Sequence, residues 1–241
     1  MIEIKTISTG SEGNAYYISD GYSSALLDAG VPLRAIQIAL GHKLAAISGA
    51  LITHSHGDHA KAVKDLARLG IDIYMSIAEA EALKLYGHRI HAVKPLKTFK
   101  CGGFAVTPFD VIHDTPEPLG FLIKSTATGE KLLYFTDTAY LKYTFRGISY
   151  ILGECNHSRR MIDDNVKCGD LAPELAARIV KSHMSIDRFE EFLKASDLSE
   201  LKELHLIHTS DGNGNTAEFT ARIAKIAPSA AIFSVKGDKE K

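Results

Sequence analysis

The heptapeptide Thr53-His54-Ser55-His56-Gly57-Asp58-His59 constrains this chain more than any other feature. It follows a short apolar run over 50–53 that reads as a buried strand. It precedes a helical pattern over 61–70 that stops at Gly70. A strand throws successive side chains to opposite faces and cannot aim neighbours at one point, whereas a loop running into a helix can. Three imidazoles and one carboxylate within six residues are therefore expected to converge there. His54 and His56 would point one way and Asp58 and His59 would serve a second position, with Gly57 giving the backbone freedom to turn. Burying that much polarity without a partner is costly. Imidazole nitrogen and carboxylate oxygen suit Zn²⁺, and also Mn²⁺ or Fe²⁺. The loop reads as one wall of a metal site.

A site of this kind needs a rigid frame. Strands are expected over 2–7, 15–18 and 24–28, then a helix over 33–40 ending at Gly41, a strand over 71–75 and a helix near 77–85. Strands follow over 104–112, 120–125, 131–136 and 150–154, with the turn 126–130 joining two of them as a hairpin. The last third alternates helices near 171–182, 186–196 and 216–226 with strands near 203–207 and 230–235. Strand-rich blocks flanked by helices in both halves imply layered α/β/β/α packing. No Pro/Gly/Ser-rich linker interrupts the 241 residues, so a single domain over 1–241 is expected.

Composition narrows the function classes. Hydrophobic residues make up 45% and charged residues 24%, as in ordinary globular proteins. The formal net charge of -1 leaves any nucleic-acid partner to a local basic patch. No run approaches a membrane span, and the N-terminus lacks the basic-then-apolar pattern of a signal peptide. Cys101, Cys155 and Cys168 form no C-x-x-C pair, which fits a reducing, cytoplasmic setting.

Three further potential ligands stand at or just beyond the ends of expected strands: His113, Asp137 and His208. Sheet ends opening into loops are where α/β proteins build sites. Together with the first loop they complete two metal positions.

These residues, in this order, resemble the metallo-β-lactamase superfamily, and the match runs over nearly the whole chain. The resemblance implies a four-layer αββα sandwich with two mixed β-sheets. It implies one metal on His54, His56 and His113, a second on Asp58, His59 and His208, and Asp137 bridging them. Leu27-Asp28-Ala29-Gly30 is similar to the family's early acidic motif, in which the carboxylate, here Asp28, supports the metal loop. The oxidoreductase branch carries Glu where this chain has His56, so hydrolysis is implied. Thr9-Gly10-Ser11-Glu12-Gly13-Asn14, His113-Asp114, Pro118-Leu119-Gly120-Phe121, Glu154-Cys155-Asn156-His157 and Ser182-His183-Met184-Ser185 resemble the YycJ/WalJ-like exonuclease branch. The last of these departs from the usual G-H-L-S, and His208-Thr209-Ser210 varies H-L-S.

That branch implies a 5′→3′ DNA exonuclease using a water activated by two divalent metal ions, Zn²⁺ or Mn²⁺. Glu154 and His183 resemble the Glu–His dyad of ribonuclease Z. His183 would serve the leaving oxygen, with Glu154 holding its ring. Asp58 or Asp137 would orient the water. The plainer role for His183 is to cap the helix over 171–182. Asn156, His157, Arg159, Ser11 and Asn14 are candidate substrate contacts, and Arg159-Arg160 offers phosphate a guanidinium pair. Lys61, Lys64 and Arg68 read as a solvated helix face. Nucleic acid, DNA in particular, is the implied partner. The alternative is a small-molecule metallo-hydrolase acting on small phosphodiesters, lactones or thioesters. A non-catalytic module of the same fold fits less well, since it had no need to keep every ligand.

Overall fold

The computed structural model describes residues 1–234. Two compact units are found: Met1–Asp110 with Thr115–Lys131, and Val111–Asp114 with the described chain over 132–234. Among the described residues thirteen strands sort into two sheets, an α/β architecture.

In the first unit β1 (Glu3–Ser8), β2 (Ala15–Ser19) and β3 (Ser24–Leu27) pair antiparallel through short turns. The second turn is set by Asp20, whose carboxylate accepts from Tyr22 N at 2.9 Å and Ser23 N at 2.8 Å. From β3 onward the pairing becomes parallel, through β4 (Ala50–Leu51), β5 (Ile73–Met75) and β6 (Ile90–Ala92). Parallel neighbours need crossovers. These are α1 (Leu33–Ala39), α2 (Gly57–Ala60) with α3 (Val63–Arg68), and α4 (Ile77–Ala82). Ile36, Val63 and Leu66 from the helices bury against Leu26, Ala50 and Ile73 of the strands. The unit also holds the antiparallel ribbon β7 (Phe99–Cys101), β8 (Phe104–Asp110) and β9 (Leu119–Ser125).

In the second unit β10 (Lys131–Phe135), β11 (Tyr150–Glu154), β12 (Glu203–Ile207) and β13 (Ala231–Ser234) run parallel. The near-continuous burial of β10, β11 and β12 is what a parallel sheet covered on both faces demands. The helices are α5 (Arg159–Cys168), α6 (Pro173–Ser182), α7 (Ile186–Ala195) and α8 (Thr216–Ile226). Ser185 caps α7 by accepting from Arg188 N at 3.3 Å, and Asn215 caps α8 by accepting from Glu218 N at 3.1 Å. Among the described residues no helix is long and apolar enough to cross a membrane. The three cysteines are free thiols: Cys101 and Cys155 are buried and Cys168 is exposed.

Several local expectations are corrected. The helix expected over 61–70 is the shorter α3, Val63–Arg68, and a separate short helix, α2, precedes it over Gly57–Ala60. Between them Ala62 gives its N–H to the Ala29 carbonyl at 2.9 Å, outside any helical ladder. The strand expected over 50–53 stops at Leu51, because Thr53 N–H goes to the Asp28 carboxylate at 2.8 Å. Gly57 does not use a glycine's freedom, being the first residue of α2 with no left-handed φ. The strands β6 and β7 and the helix α5 were not anticipated; α5 is rich in charge and buries only Ile162. Residue 235 of the expected strand 230–235 lies outside the described residues.

The glycine that matters to the metal loop is Gly30. A Cβ there would stand 1.6 Å from the Asp58 carbonyl oxygen and 2.7 Å from Asn14 N. Around this contact Asn14 N donates to Asp58 O at 2.7 Å, Ala29 N to His59 O at 2.8 Å and Gly30 N to Asn14 O at 2.8 Å. Backbone on three sides leaves no soft neighbour to yield. Gly30→Ala should therefore lower the unfolding free energy by ~3 kcal/mol or more. A Cβ on Gly57 meets nothing within 4 Å, so Gly57→Ala should stay within ~0.5 kcal/mol of the parent. Urea unfolding of both variants checks this, and equal midpoints would contradict the packing account.

Candidate metal centre

The first unit presents one half of the expected donor set. Asp28, with no exposed surface and a φ of 54°, ends β3 in the left-handed region. Its carboxylate accepts from Thr53 N at 2.8 Å and from Thr53 Oγ1 at 2.9 Å, and meets His59 Nδ1 at 2.8 Å. Thr53 Oγ1 in turn lies 3.0 Å from His54 Nδ1. Thr53 gives its hydroxyl proton to Asp28, so the oxygen accepts from His54 Nδ1–H. In both histidines Nδ1 carries the proton, and Nε2 keeps the lone pair that a metal needs. The three rings crowd together, with centroids 4.8 Å apart for His54 and His56 and 4.2 Å apart for His54 and His59. Asp58 Oδ2 lies 3.5 Å from His59 Nε2.

The second unit presents the other half. His113 follows β8, Asp137 follows β10 and His208 follows β12. Asp137 with φ 47° and His208 with φ 51° repeat the left-handed turn of Asp28. A non-glycine residue held there stores strain that functional sites commonly carry. His113 Nδ1 lies 3.1 Å from the Ser182 carbonyl, an acceptor, so Nε2 is again the lone-pair nitrogen; it stands 3.4 Å from Asp137 Oδ2. Burial lowers the His113 pKa, and the charge on His183 lowers it further against the pull of Asp137 and Asp114, which favours the neutral ligand form. His208 Nδ1 is 2.9 Å from Glu154 Oε1. Asn156 Nδ2 donates to the His208 carbonyl at 2.9 Å and so clamps the strained turn.

Glu154 is the hub of this half. Fully buried at the end of β11, it accepts from Thr138 N at 2.9 Å and Met184 N at 3.2 Å, and meets His183 Nδ1 at 2.7 Å. Burial alone would raise its pKa, but the charge and hydrogen bond of His183, with the hydrogen bond of His208, bring it down to about 2. For His183 burial works downward, and the Glu154 charge and hydrogen bond outweigh it, lifting the imidazole to about 9. His183 is also the C-cap of α6, so the capping role and the dyad geometry coincide in one residue. Asp137, Glu154, His183 and His208 bring ligand-type atoms within 4.8 Å of one another. Imidazole nitrogens with anchored tautomers, beside carboxylates, fit a borderline divalent cation such as zinc or manganese.

The remaining candidates divide. Asn14 is fully buried and ties loops together, its Nδ2 lying 3.0 Å from Gly10 O and 3.1 Å from His59 Nε2. Ser11 is exposed on the adjoining turn. His157 is buried, which lowers its pKa to about 4 and keeps it neutral. Arg159 and Arg160 are exposed at the start of α5, facing Asp163 at 3.1 Å and Glu218 at 3.4 Å. Lys61, Lys64 and Arg68 are exposed around α3, as a solvated face should be.

Sequence reasoning missed Glu79. It is fully buried on α4, and its carboxylate accepts from Ser55 N at 2.8 Å and Glu117 N at 2.9 Å. It therefore fixes the backbone between His54 and His56. Ser76-x-x-Glu79 reads as an ordinary capping box, and only the fold shows the carboxylate turned to another loop.

The Glu154–His183 pair makes stability depend on pH. A histidine whose pKa rises from 6.5 to about 9 on folding contributes fully below 6.5 and loses its contribution as pH climbs through about 9. The Glu154 share is present above 4.5 and lost as pH falls through about 2. In metal-free protein the Tm gap between the parent and His183→Gln should be widest near about pH 6 and close by about pH 10. An equal gap at both ends would remove the ion pair from the account.

Comparison with known proteins gives the family and the fold. The β-lactamase superfamily domain model matches residues 24–209. The exodeoxyribonuclease YycJ of Bacillus anthracis is 27% identical, over 88% of this chain and 84% of its own. The exodeoxyribonuclease WalJ of Streptococcus pneumoniae serotype 2 is 26% identical, over 86% of this chain and 81% of its own. The metallo-β-lactamase fold protein YhfI from Bacillus subtilis superposes with a TM-score of 0.75 at 17% identity, covering 98% of this chain and 97% of its own. That likeness carries the fold, which is the sandwich expected from the sequence. With its two mixed sheets, its donor residues and a family match over residues 24–209, the chain belongs to the β-lactamase superfamily domain family as a metallo-β-lactamase-fold hydrolase.

Proposed function

We propose that this protein is a metal-dependent phosphodiesterase acting as a 5′→3′ DNA exonuclease in the cytoplasm. In this reading the residues that would hold two divalent ions are His54, His56, Asp58 and His59 of the first unit and His113, Asp137 and His208 of the second. The observation that carries the metal assignment is the anchoring of four Nδ1 atoms, on Thr53, Asp28, Ser182 and Glu154, which turns Nε2 of His54, His59, His113 and His208 into ligand nitrogens. Two such ions, zinc or manganese, would polarise a phosphoryl oxygen and make water nucleophilic near neutral pH.

The chain's own groups supply the rest. Asp58 orients the attacking water through its carboxylate. His183, lifted to about 9 beside Glu154, is a cation at neutral pH. With Nδ1 fixed on Glu154, its Nε2–H is the proton offered to the leaving sugar oxygen, and Glu154 stays ionised throughout. Phosphodiesters have poor leaving groups, so this dyad favours them over lactones and thioesters. The names of the YycJ and WalJ relatives support DNA as the polymer. Asn156, His157, Arg159, Ser11 and Asn14 complete the proposed surroundings of the substrate, with Asn156 and Asn14 acting through the backbone they hold.

End-labelled DNA and RNA incubated with purified protein and Mn²⁺ or Zn²⁺ test the reading. The parent should release nucleotides stepwise from the 5′ end of DNA. Asp58→Ala should abolish release. His183→Ala should slow it ~10²–10⁴-fold while losing far less on a p-nitrophenyl phosphodiester, whose leaving group needs no proton. Intact polymers after incubation with metal-loaded protein would overturn the assignment.

A further inference from the structure

The donor residues leave one strongly charged stretch unexplained. From residue 82 to residue 109 the sequence contains no Asp or Glu, yet it carries Lys84, Arg89, Lys94, Lys97 and Lys100, with His88 and His91. In a chain of formal net charge -1 this is marked segregation. The stretch lies wholly in the first unit and runs from the end of α4 through β6 to β7 and β8. Lys84, Lys94, Lys97 and Lys100 are exposed, and among the described residues none of the four makes an ion pair. A merely solvated surface interleaves both signs. Lys100 opposes Ala105 and with it Lys124, so these two lysines share the ribbon face opposite Phe99, and Lys94 and Lys97 are the cations left in the loop between β6 and β7.

Aromatic rings stand beside the lysines. Phe99 stacks on Tyr74 at 4.8 Å, and Tyr74 stacks on His91 at 4.9 Å, a ladder whose His91 end is 41% exposed on β6. Asp72 fixes that end, contacting Arg89 Nη1 at 3.1 Å and His91 Nε2 at 3.0 Å. Exposed lysines in the loop that follows the half-exposed His91 ring match the two surfaces of a single nucleic-acid strand, its phosphates and its unpaired bases. A duplex would hide its bases from the rings.

We propose that the surface around His91, Lys94 and Lys97 binds a single strand of DNA, with phosphates on Lys94 and Lys97 and bases against the exposed His91 end of the His91–Tyr74–Phe99 ladder. The proposal rests on the nuclease reading above. It adds a strand-holding surface made of residues that belong to neither the ligand set nor its supports.

The test measures binding of a fluorescent oligodeoxythymidine, protected by phosphorothioate links, to the parent and to a Lys94→Glu/Lys97→Glu variant across a salt series. Hydrolysis of bis(p-nitrophenyl) phosphate and Tm are followed in parallel. The expected result is about tenfold weaker binding, with the salt slope reduced by about 1.4, at about 0.7 per phosphate on single strands. Small-ester hydrolysis should be unchanged. A Lys→Gln double variant should show the same direction to a smaller extent, and serves as the measure if the reversed variant folds poorly. Unchanged affinity and slope in both variants, or no strand binding by the parent, overturn the proposal. If the parent digests DNA while the variants bind normally, this surface fails and the nuclease reading stands. If the parent binds the strand through these lysines and hydrolyses neither polymer nor small ester, the nuclease reading fails alone.

Discussion

A carboxylate with no exposed surface organises the second unit. Glu154 meets four groups from three places in the chain: Thr138 N after β10, His183 Nδ1 and Met184 N after α6, and His208 Nδ1 after β12. Desolvating an anion this completely is expensive unless each oxygen is satisfied. Here each oxygen has two partners, and one partner is a cation. The same solution appears in the first unit, where buried Asp28 gathers Thr53 and His59. Each unit thus has an interior acid whose partners are the residues that must be aimed. Removing such an acid leaves its partners buried and mis-set, rather than simply deleting one hydrogen bond.

Backbone conformation works with these acids. Asp28, Asp137 and His208 each leave a strand through a left-handed turn that most side chains avoid. A strand that continued straight would carry the side chain along the sheet. The reversed φ swings it off the sheet's end instead, and neighbouring hydrogen bonds hold the cost in place, as Asn156 does for His208.

The sequence made some of this legible. Order and spacing of His and Asp carried the family and with it the fold, because residues that end strands leave a mark in the linear chain. The parallel strands other than β6 were readable from their apolar runs, and α6, α7 and α8 from their periodicity. What escaped reading depended on contacts distant in sequence. The break at Ala62 follows from a bond to Ala29, the early end of β4 from the reach of Asp28, and the role of Glu79 from a loop more than twenty residues earlier. Helix α5 was missed because it is far more polar than α6 or α7, with Met161, Ile162 and Val166 set among charged residues, and such a run reads as a solvated loop. Gly57 was misread for the opposite reason, since a glycine beside a motif invites a conformational explanation that helix α2 does not need.

The cysteines described with the fold have a practical side. Burial pushes the Cys101 thiol up to about 12, and burial with the neighbouring Glu154 charge pushes Cys155 well above the ordinary thiol range. Thiols held protonated and sealed from solvent are poor nucleophiles. Cys168, at the exposed end of α5, is then the thiol that a maleimide will find. A fluorophore can be placed on the unaltered chain at one known point, the exposed end of α5, without the removal of any residue.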